Sequence, residues 1–223
     1  MNVAPFVIFA LPRSRTAWLS QFLTYRAASC AHEQLRHIRN LDDAKIWLSQ
    51  ENTGSAETAA APWWRLLLHY RPDVKIVVIR RPVDEVVESL MRLDLHGAGS
   101  FDRVLLAKTI KRLDAKLRQI ERRASNVLSV LFADLSDEEA CKAIFEHCLP
   151  YPHDREHWLR LKDVNVQCSM PGIIRYCAAY KEPMTKISAM AKQASLSLMR
   201  PTNTDDLDGF TIQEEPFETF VRD

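Results

Sequence analysis

One segment of the sequence leaves little choice of structure. Val74-Lys75-Ile76-Val77-Val78-Ile79 is apolar except for one lysine, and every apolar residue in it is β-branched. Such a run predicts a central strand of a parallel sheet, because helices cover both faces of such a strand. Phe6-Val7-Ile8-Phe9-Ala10 and the segment 127–132 have the same character and predict two further strands. A short fourth strand is predicted over 28–31.

Helical periodicity occurs between these strands. We expect a helix that begins with Pro82 as its first helical residue, one that Asn40 or Asp42 caps, and one that Ser136 caps and that ends near Cys148. The helix that Asn40 or Asp42 caps spans 41–50, and further helices are predicted over 16–25, 58–70, 101–123, 153–161 and 172–198. Alternating strands and helices predict an α/β fold with three layers, α/β/α, around a central parallel sheet. Ligands of such sheets bind at the carboxyl ends of the strands.

The charge of the chain is divided unevenly. The formal net charge of the 223 residues is +1, whereas the stretch 201–223 alone contributes −6, which leaves about +7 for the first 200 residues. We therefore predict one domain over 1–200 and an acidic C-terminal tail over 201–223. The low overall charge argues against nucleic acid as a partner, and a basic domain suits a small anionic ligand.

Two further properties concern the cellular setting. The five cysteines form no CxxC pair, which is typical of buried thiols in a reduced protein, so we expect a cytoplasmic location. No run approaches the roughly 20 apolar residues that a membrane span requires. No metal-ligand motif occurs in the sequence, and the oligomeric state is left open.

A cationic segment follows the first predicted strand. It reads Ala10-Leu11-Pro12-Arg13-Ser14-Arg15-Thr16-Ala17-Trp18 and continues into a helix. Free backbone N–H groups at the start of a helix, together with the guanidinium groups of Arg13 and Arg15, favour a phosphate or sulfate. Ser14 and Thr16 add hydroxyl donors; the plainer alternative is that one of them only caps the helix. The segment contains no glycine and no lysine, which excludes the GxxxxGK[ST] loop of nucleoside triphosphatases.

This segment resembles the phosphosulfate loop of the sulfotransferases that use 3′-phosphoadenosine-5′-phosphosulfate (PAPS). That loop follows a strand and reads PRSGT or PKSGT before an aromatic residue or leucine; Pro12-Arg13-Ser14 and Thr16 match it, whereas Arg15 stands at the usual glycine. The resemblance covers roughly residues 6–148 and implies a P-loop NTPase-like sulfotransferase fold. It also implies that the 5′ end of PAPS contacts Arg13, Ser14, Arg15, Thr16, Ala17 and Trp18.

A second junction, Arg80-Arg81-Pro82, follows the strand at 74–79 and is similar to another motif of the same family. There a strand ends in R-[DN]-P, and a serine about two helical turns later joins the arginine in binding the 3′-phosphate. Arg80 and Pro82 match, and Arg81 replaces the aspartate or asparagine. Ser89 lies one position beyond the family serine, whose place Glu88 takes. The resemblance implies that Arg80 and Ser89 bind the 3′-phosphate; the alternative is that the arginine pairs with a glutamate of the following helix.

Sulfuryl transfer also needs a base that takes the proton of the acceptor. If 28–31 is a strand, His32 and Glu33 emerge at its carboxyl end beside the phosphosulfate loop. Tyrosylprotein and several glycan sulfotransferases use a glutamate in this region, so the resemblance implies Glu33 as the base, with His32 as the second choice. His96, in a later glycine-flanked loop, is a further candidate, and a solvated loop end is the plain alternative. Arg13 would stabilise charge on the departing phosphate.

The resemblance thus implies a transferase that moves a sulfuryl group from PAPS to a hydroxyl or amine and releases 3′-phosphoadenosine-5′-phosphate (PAP). The acceptor is a small molecule, a glycan or a peptide. Two alternatives stay open: a non-catalytic module of the same fold that binds an adenosine phosphate, and a kinase-like phosphotransferase. Selective binding of PAP or of ATP distinguishes the sulfotransferase from the phosphotransferase, and a turnover assay distinguishes the enzyme from a non-catalytic binder of PAP.

Overall fold

The computed structural model describes residues 3–92 and 102–164. Within these ranges the strands are β1 (Phe6–Ala10), β2 (Ser29–His32), β3 (Thr53–Glu57), β4 (Lys75–Arg80) and β5 (Val127–Leu131). They form one sheet in the order β2-β3-β1-β4-β5, in which every neighbouring pair is parallel. The predicted parallel sheet is confirmed.

Helices cover both faces of this sheet. They are α1 (Thr16–Phe22), α2 (Leu41–Ser49), α3 (Trp64–Tyr70), α4 (Val83–Met91), α5 (Arg103–Arg123), α6 (Glu138–Cys148) and α7 (Arg155–Leu161). Ile8 and Phe9 are neighbours on β1 and point to opposite faces. Ile8 lies in the core that includes residues of α1, α6 and α7, whereas Phe9 lies in the core that includes residues of α2, α3, α4 and α5. The three-layer α/β/α architecture is therefore confirmed.

Strand β3 was not predicted from the sequence. Its residues, Thr-Gly-Ser-Ala-Glu, lack the bulky β-branched and aromatic side chains that indicate a strand. Packing explains the small residue at Gly54, because a Cβ there would lie 2.0 Å from Cε2 of Phe6 on the neighbouring strand. The predicted helix over 58–70 is correct only in its second half: a 3₁₀ turn at Ala61–Trp63 precedes α3, and β3 ends at Glu57.

Of the three helix starts predicted from the sequence, the structure confirms one and differs in two. Asn40 caps α2, and its side chain accepts a hydrogen bond of 2.8 Å from the N–H of Asp43. Pro82 is the N-cap of α4 rather than its first helical residue, since its ψ of 131° is extended. Asp137, not Ser136, caps α6; the Ser136 hydroxyl donates instead to the carbonyl of Ala133 in the preceding 3₁₀ turn.

Several predictions lie outside the described residues. These are the helix over 172–198, the domain boundary at residue 200, the acidic tail 201–223 and the candidate base His96. Within residues 3–92 and 102–164, no helix is both long and apolar enough to cross a membrane.

Candidate active site

The two arginine-bearing junctions lie side by side. Strands β1 and β4 are parallel neighbours, with Ala10 opposite Ile79. The segments that follow the two strands therefore leave the same edge of the sheet at neighbouring points. Nε of Arg13 donates a hydrogen bond of 3.2 Å to Oγ of Ser89 on α4, and the guanidinium of Arg81 donates to the carbonyl oxygen of Arg13. The structure thus brings the first junction and the second junction into one site.

The loop between β1 and α1 has an unusual backbone. Arg13 and Arg15 have φ angles of 65° and 60°, in the left-handed region that side chains other than glycine rarely adopt. Arg15 therefore keeps the conformation that glycine adopts readily at this place, despite its long side chain. Between them, Ser14 is fully buried, and its Oγ has no hydrogen-bond partner in the described structure. A buried hydroxyl without a partner is unfavourable, and a bound anion would satisfy this one by accepting a hydrogen bond from its O–H.

The Arg15 side chain contacts protein carbonyl groups. Its two terminal nitrogens donate to the carbonyl oxygens of Leu135 and Lys162, at 3.2 and 2.8 Å. Its guanidinium also lies over the ring of Trp18, 4.5 Å from the centroid, and Nε1 of Trp18 donates to the carbonyl oxygen of Leu161. Both side chains tie the loop to the end of α7. The contacts of Arg15, Ala17 and Trp18 with a donor molecule stay predictions.

The edge strand β2 brings His32 to the start of α1, and Glu33 follows His32 in the chain. Nε2 of His32 lies 3.1 Å from Oγ1 of Thr16, which is buried in the first turn of α1. Glu33 follows with a left-handed φ of 55° and directs the chain into a 3₁₀ turn, Gln34–His37. Its carboxylate accepts hydrogen bonds from the guanidinium of Arg36, at 3.2 Å, and from the hydroxyl of Thr58.

The structure places Arg80 in a different environment from its neighbour Arg81. The two terminal nitrogens of Arg80 donate to Asp114 at 2.5 Å and to Glu121 at 2.7 Å, both on α5. Asp114 is itself buried and also accepts a bond of 2.9 Å from Arg118. The charge of Arg80 is thus neutralised within the protein, and its predicted contact with a 3′-phosphate stays a prediction. Asp114 and Glu121 were missed, although their seven-residue spacing indicates one face of the predicted basic helix.

Arg81 and Ser89 face the loop. Arg81 pairs with Glu85 at 3.3 Å and lies 4.1 Å above the ring of Phe132, in addition to its bond with the Arg13 carbonyl. Glu88, at the position of the family serine, faces away and pairs with Arg103, which lowers the pKa of the Glu88 carboxyl. Ser89 rather than Glu88 therefore contacts Arg13, and its contact with a 3′-phosphate stays a prediction.

Within residues 3–92 and 102–164, no group of three or more His, Cys, Asp or Glu side chains could hold a metal ion. The polar groups that the two junctions bring together include guanidinium groups and hydroxyls. These groups favour a phosphate or sulfate ester over a cation.

Comparison with solved structures identifies the fold. The chain is similar to the sulfotransferase domain of the Synechococcus PCC 7002 olefin synthase, with a TM-score of 0.56, 16% identity, and coverage of 75% of this chain and 82% of that one. A mouse sulfotransferase, SULT7A1, solved with PAP, gives a TM-score of 0.54 at 10% identity, over 71% of this chain and 63% of that chain. A sulfotransferase from Alicyclobacillus acidocaldarius gives 0.50 at 13% identity, over 83% and 94%.

No protein-family sequence model matches the chain, and no curated protein matches it. At identities of 10–16%, the solved structures establish the fold rather than the reaction. The protein has the sulfotransferase fold, with a central parallel sheet and flanking helices as the sequence predicted, and with β3 as the additional strand.

Proposed function

We propose that this protein is a PAPS-dependent sulfotransferase that transfers a sulfuryl group to a hydroxyl or amine. One observation carries the proposal: the contact of Arg13 with Ser89 joins the two junctions at the end of β1 and β4. The buried, unpartnered hydroxyl of Ser14 lies in the same loop. A ligand with phosphate groups at two ends, such as PAP, suits a site made of two neighbouring anion-binding segments. The mouse neighbour that was solved with PAP supports this choice of donor.

We assign the 5′ end of the donor to the loop 13–18. The hydroxyl of Ser14 donates a hydrogen bond to a phosphate oxygen, and Arg13 stabilises the charge that develops on the bridging oxygen. The acceptor oxygen or nitrogen attacks sulfur in line, the bond from sulfur to the bridging oxygen breaks, and PAP departs with the electron pair. The residues of the loop thus bind the group that leaves.

We assign the 3′-phosphate to Arg81 and Ser89, which differs from the sequence-based assignment to Arg80. Arg81 and Ser89 have the eight-residue spacing that separates Arg80 from the family serine position at Glu88, and both contact Arg13. Arg80, in contrast, already has two carboxylate partners on α5. A phosphate would have to displace Asp114 or Glu121 to reach its terminal nitrogens, which leaves only the buried Nε, without a hydrogen-bond partner in the described structure.

We assign proton removal to Glu33, with His32 next to the donor loop. His32 contacts Thr16, and Glu33 follows it directly at the end of β2. The Glu33 carboxylate has two acceptor oxygens with about four lone-pair sites, so its bonds with Arg36 and Thr58 leave it able to accept the acceptor's proton. His32 is the second candidate, and activity measurements separate the two.

The proposal is tested by thermal unfolding with PAP, PAPS, ATP or no ligand, followed by a PAP-release assay. A ligand that binds only the folded state at about 100 times its Kd stabilises it by about 2.7 kcal/mol. Stabilisation by PAP and PAPS but not ATP, with turnover, supports the proposal. Stabilisation by ATP alone favours the phosphotransferase alternative, and binding of PAP without turnover favours the non-catalytic module. The acceptor class and the cytoplasmic location remain predictions.

A further inference from the structure

Three polar side chains in the second half of β3 and directly after it contact the turn that carries Glu33. Ser55 and Glu57 are almost completely buried, at 0% and 2% exposure, and Thr58 follows the strand. Ser55 and Glu57 are paired with Val7 and Phe9 of β1, so they point toward the sheet face that α2 covers. Because a buried carboxylate is unfavourable unless it is hydrogen-bonded, its presence in an otherwise apolar layer calls for an explanation.

Hydrogen bonds show what Ser55 and Glu57 do. Oγ of Ser55 accepts a bond of 3.1 Å from the N–H of Gln34 and donates one of 2.5 Å to Oε1 of Glu57. The same Glu57 oxygen accepts a bond of 2.8 Å from the N–H of Leu35. The two side chains therefore hold the first two N–H groups of the 3₁₀ turn that begins immediately after Glu33.

Glu33 itself is bound to the end of β3 at both its backbone and its side chain. Its N–H donates a bond of 2.9 Å to the carbonyl oxygen of Ala56, and its carboxylate accepts a bond from the hydroxyl of Thr58. Its left-handed backbone is unfavourable for a residue with a side chain and persists where surrounding contacts enforce it. These contacts come mainly from β3, the strand that the sequence did not indicate.

We infer that Thr58 is a positioning residue for Glu33, and that Ser55 and Glu57 fix the backbone turn on which Glu33 stands. The catalytic part of this inference rests on the proposed function, in which Glu33 takes the acceptor's proton. Thr58 holds one carboxylate oxygen from the side of the sheet, which restricts the directions in which the carboxylate can point. Small displacements of a catalytic group lower rates strongly, so the loss of this bond is expected to reduce turnover.

The catalytic readout compares Thr58→Val, which removes the hydroxyl at nearly constant shape, with Thr58→Ser, which keeps it. Thr53→Val is the matched control, because Thr53 lies at the opposite end of β3 and, among the described residues, its hydroxyl donates only to the carbonyl of Glu51. PAP release is measured with PAPS and three acceptor probes: 2-naphthol, 1-octanol and 2-phenylethylamine. Thr58→Val should lower kcat by about 10- to 100-fold with an unchanged KM for PAPS. Thr58→Ser should recover most of the rate, and Thr53→Val should match the unchanged protein.

A second readout requires no turnover. The melting temperatures of Thr58→Val, Glu33→Ala and the double variant form a double-mutant cycle. If the two side chains interact, the melting temperature of the double variant falls by less than the sum of the decreases in the two single variants. Additive losses overturn the inference whatever the activity shows, and so does coupling accompanied by a normal kcat in Thr58→Val.

The proposed function can fail separately. If the unchanged protein neither binds PAP nor releases it from PAPS, the sulfotransferase proposal is wrong. The melting-temperature cycle then still decides whether Thr58 positions Glu33.

Discussion

The two strand–helix junctions match their family motifs about equally well, yet the polar side chains of the two motifs differ in their partners. In the first junction, a buried hydroxyl, Ser14, has no partner in the described structure. In the second, the arginine that matches the motif, Arg80, is already paired with two carboxylates. A sequence match therefore indicates where a residue lies in the fold, but whether its charge is available to a ligand depends on residues far away in the sequence.

The largest expected effect concerns Glu33, which stands outside both junctions. Glu33→Gln keeps the shape of the side chain and removes the base, so turnover should fall by about 10²- to 10⁴-fold while PAP binding stays nearly unchanged. Steady-state PAP release and thermal shift with PAP measure the two quantities. His32→Ala is the comparison and should have the smaller effect. A normal rate in Glu33→Gln together with an inactive His32→Ala would assign the base to the histidine.

The next effect compares the adjacent arginines directly. Arg81→Ala should weaken PAP by about 10- to 100-fold, the size of a charge-assisted hydrogen bond, and should weaken adenosine 5′-phosphosulfate much less, because that ligand has no 3′-phosphate. Arg80→Ala should affect the two ligands equally. If Arg80→Ala instead weakens PAP selectively and Arg81→Ala does not, then the sequence-based assignment to Arg80 is the correct one.

The ion pairs of Arg80 also give a prediction for stability. Arg80→Ala leaves the buried Asp114 without its closest partner, so the free energy of unfolding should fall by about 3 kcal/mol. Arg118→Ala is the matched control, because Arg118 pairs with the same carboxylate but is 61% exposed. Arg118→Ala should lower the free energy of unfolding by less than about 1 kcal/mol. Equal losses in urea unfolding would show that the Arg80 pair is not the stabilising one.

The smallest expected effect is a pH dependence near the start of β4, away from the carboxyl ends of the strands where the candidate site lies. Burial lowers the pKa of His147, whose Nε2 lies 3.2 Å from the carbonyl oxygen of Ile76 on β4. Because the folded state resists protonation while the unfolded state titrates near pH 6.5, stability should decrease as the pH falls below about 6.5. His147→Gln should have a weaker dependence between pH 7 and pH 5. An identical dependence in both proteins would assign it to other groups.

The sequence predicted much of the fold because three strands and most helices have strong local patterns. The apolar run at 74–79 and the motif Pro12-Arg13-Ser14 each identify an element from a few adjacent residues. β3 has no such pattern: its Gly54 is small because of Phe6 on another strand, and its Glu57 is buried because of the turn at Leu35. Contacts of this kind depend on the assembled sheet and cannot be read from local residues.

The candidate site shows the same division. Sequence placed Arg13, Ser14 and Ser89 near one another through the order of strands and helices, and the structure brings them together. It could not show that Asp114 and Glu121 neutralise Arg80, because these acids lie more than thirty residues away on a helix that looks basic. Thr58 was missed for a related reason, since its role follows from an unpredicted strand.

The central claim is that the two junctions bind one ligand with phosphates at both ends. Titration calorimetry of PAP with the unchanged protein and with Ser14→Ala tests it most directly, because Ser14 is buried and makes no bond within the described structure that its loss would break. We expect one PAP per chain and clearly weaker binding by Ser14→Ala at an unchanged melting temperature. No binding of PAP by the unchanged protein, or equal affinity in both proteins, would contradict the account.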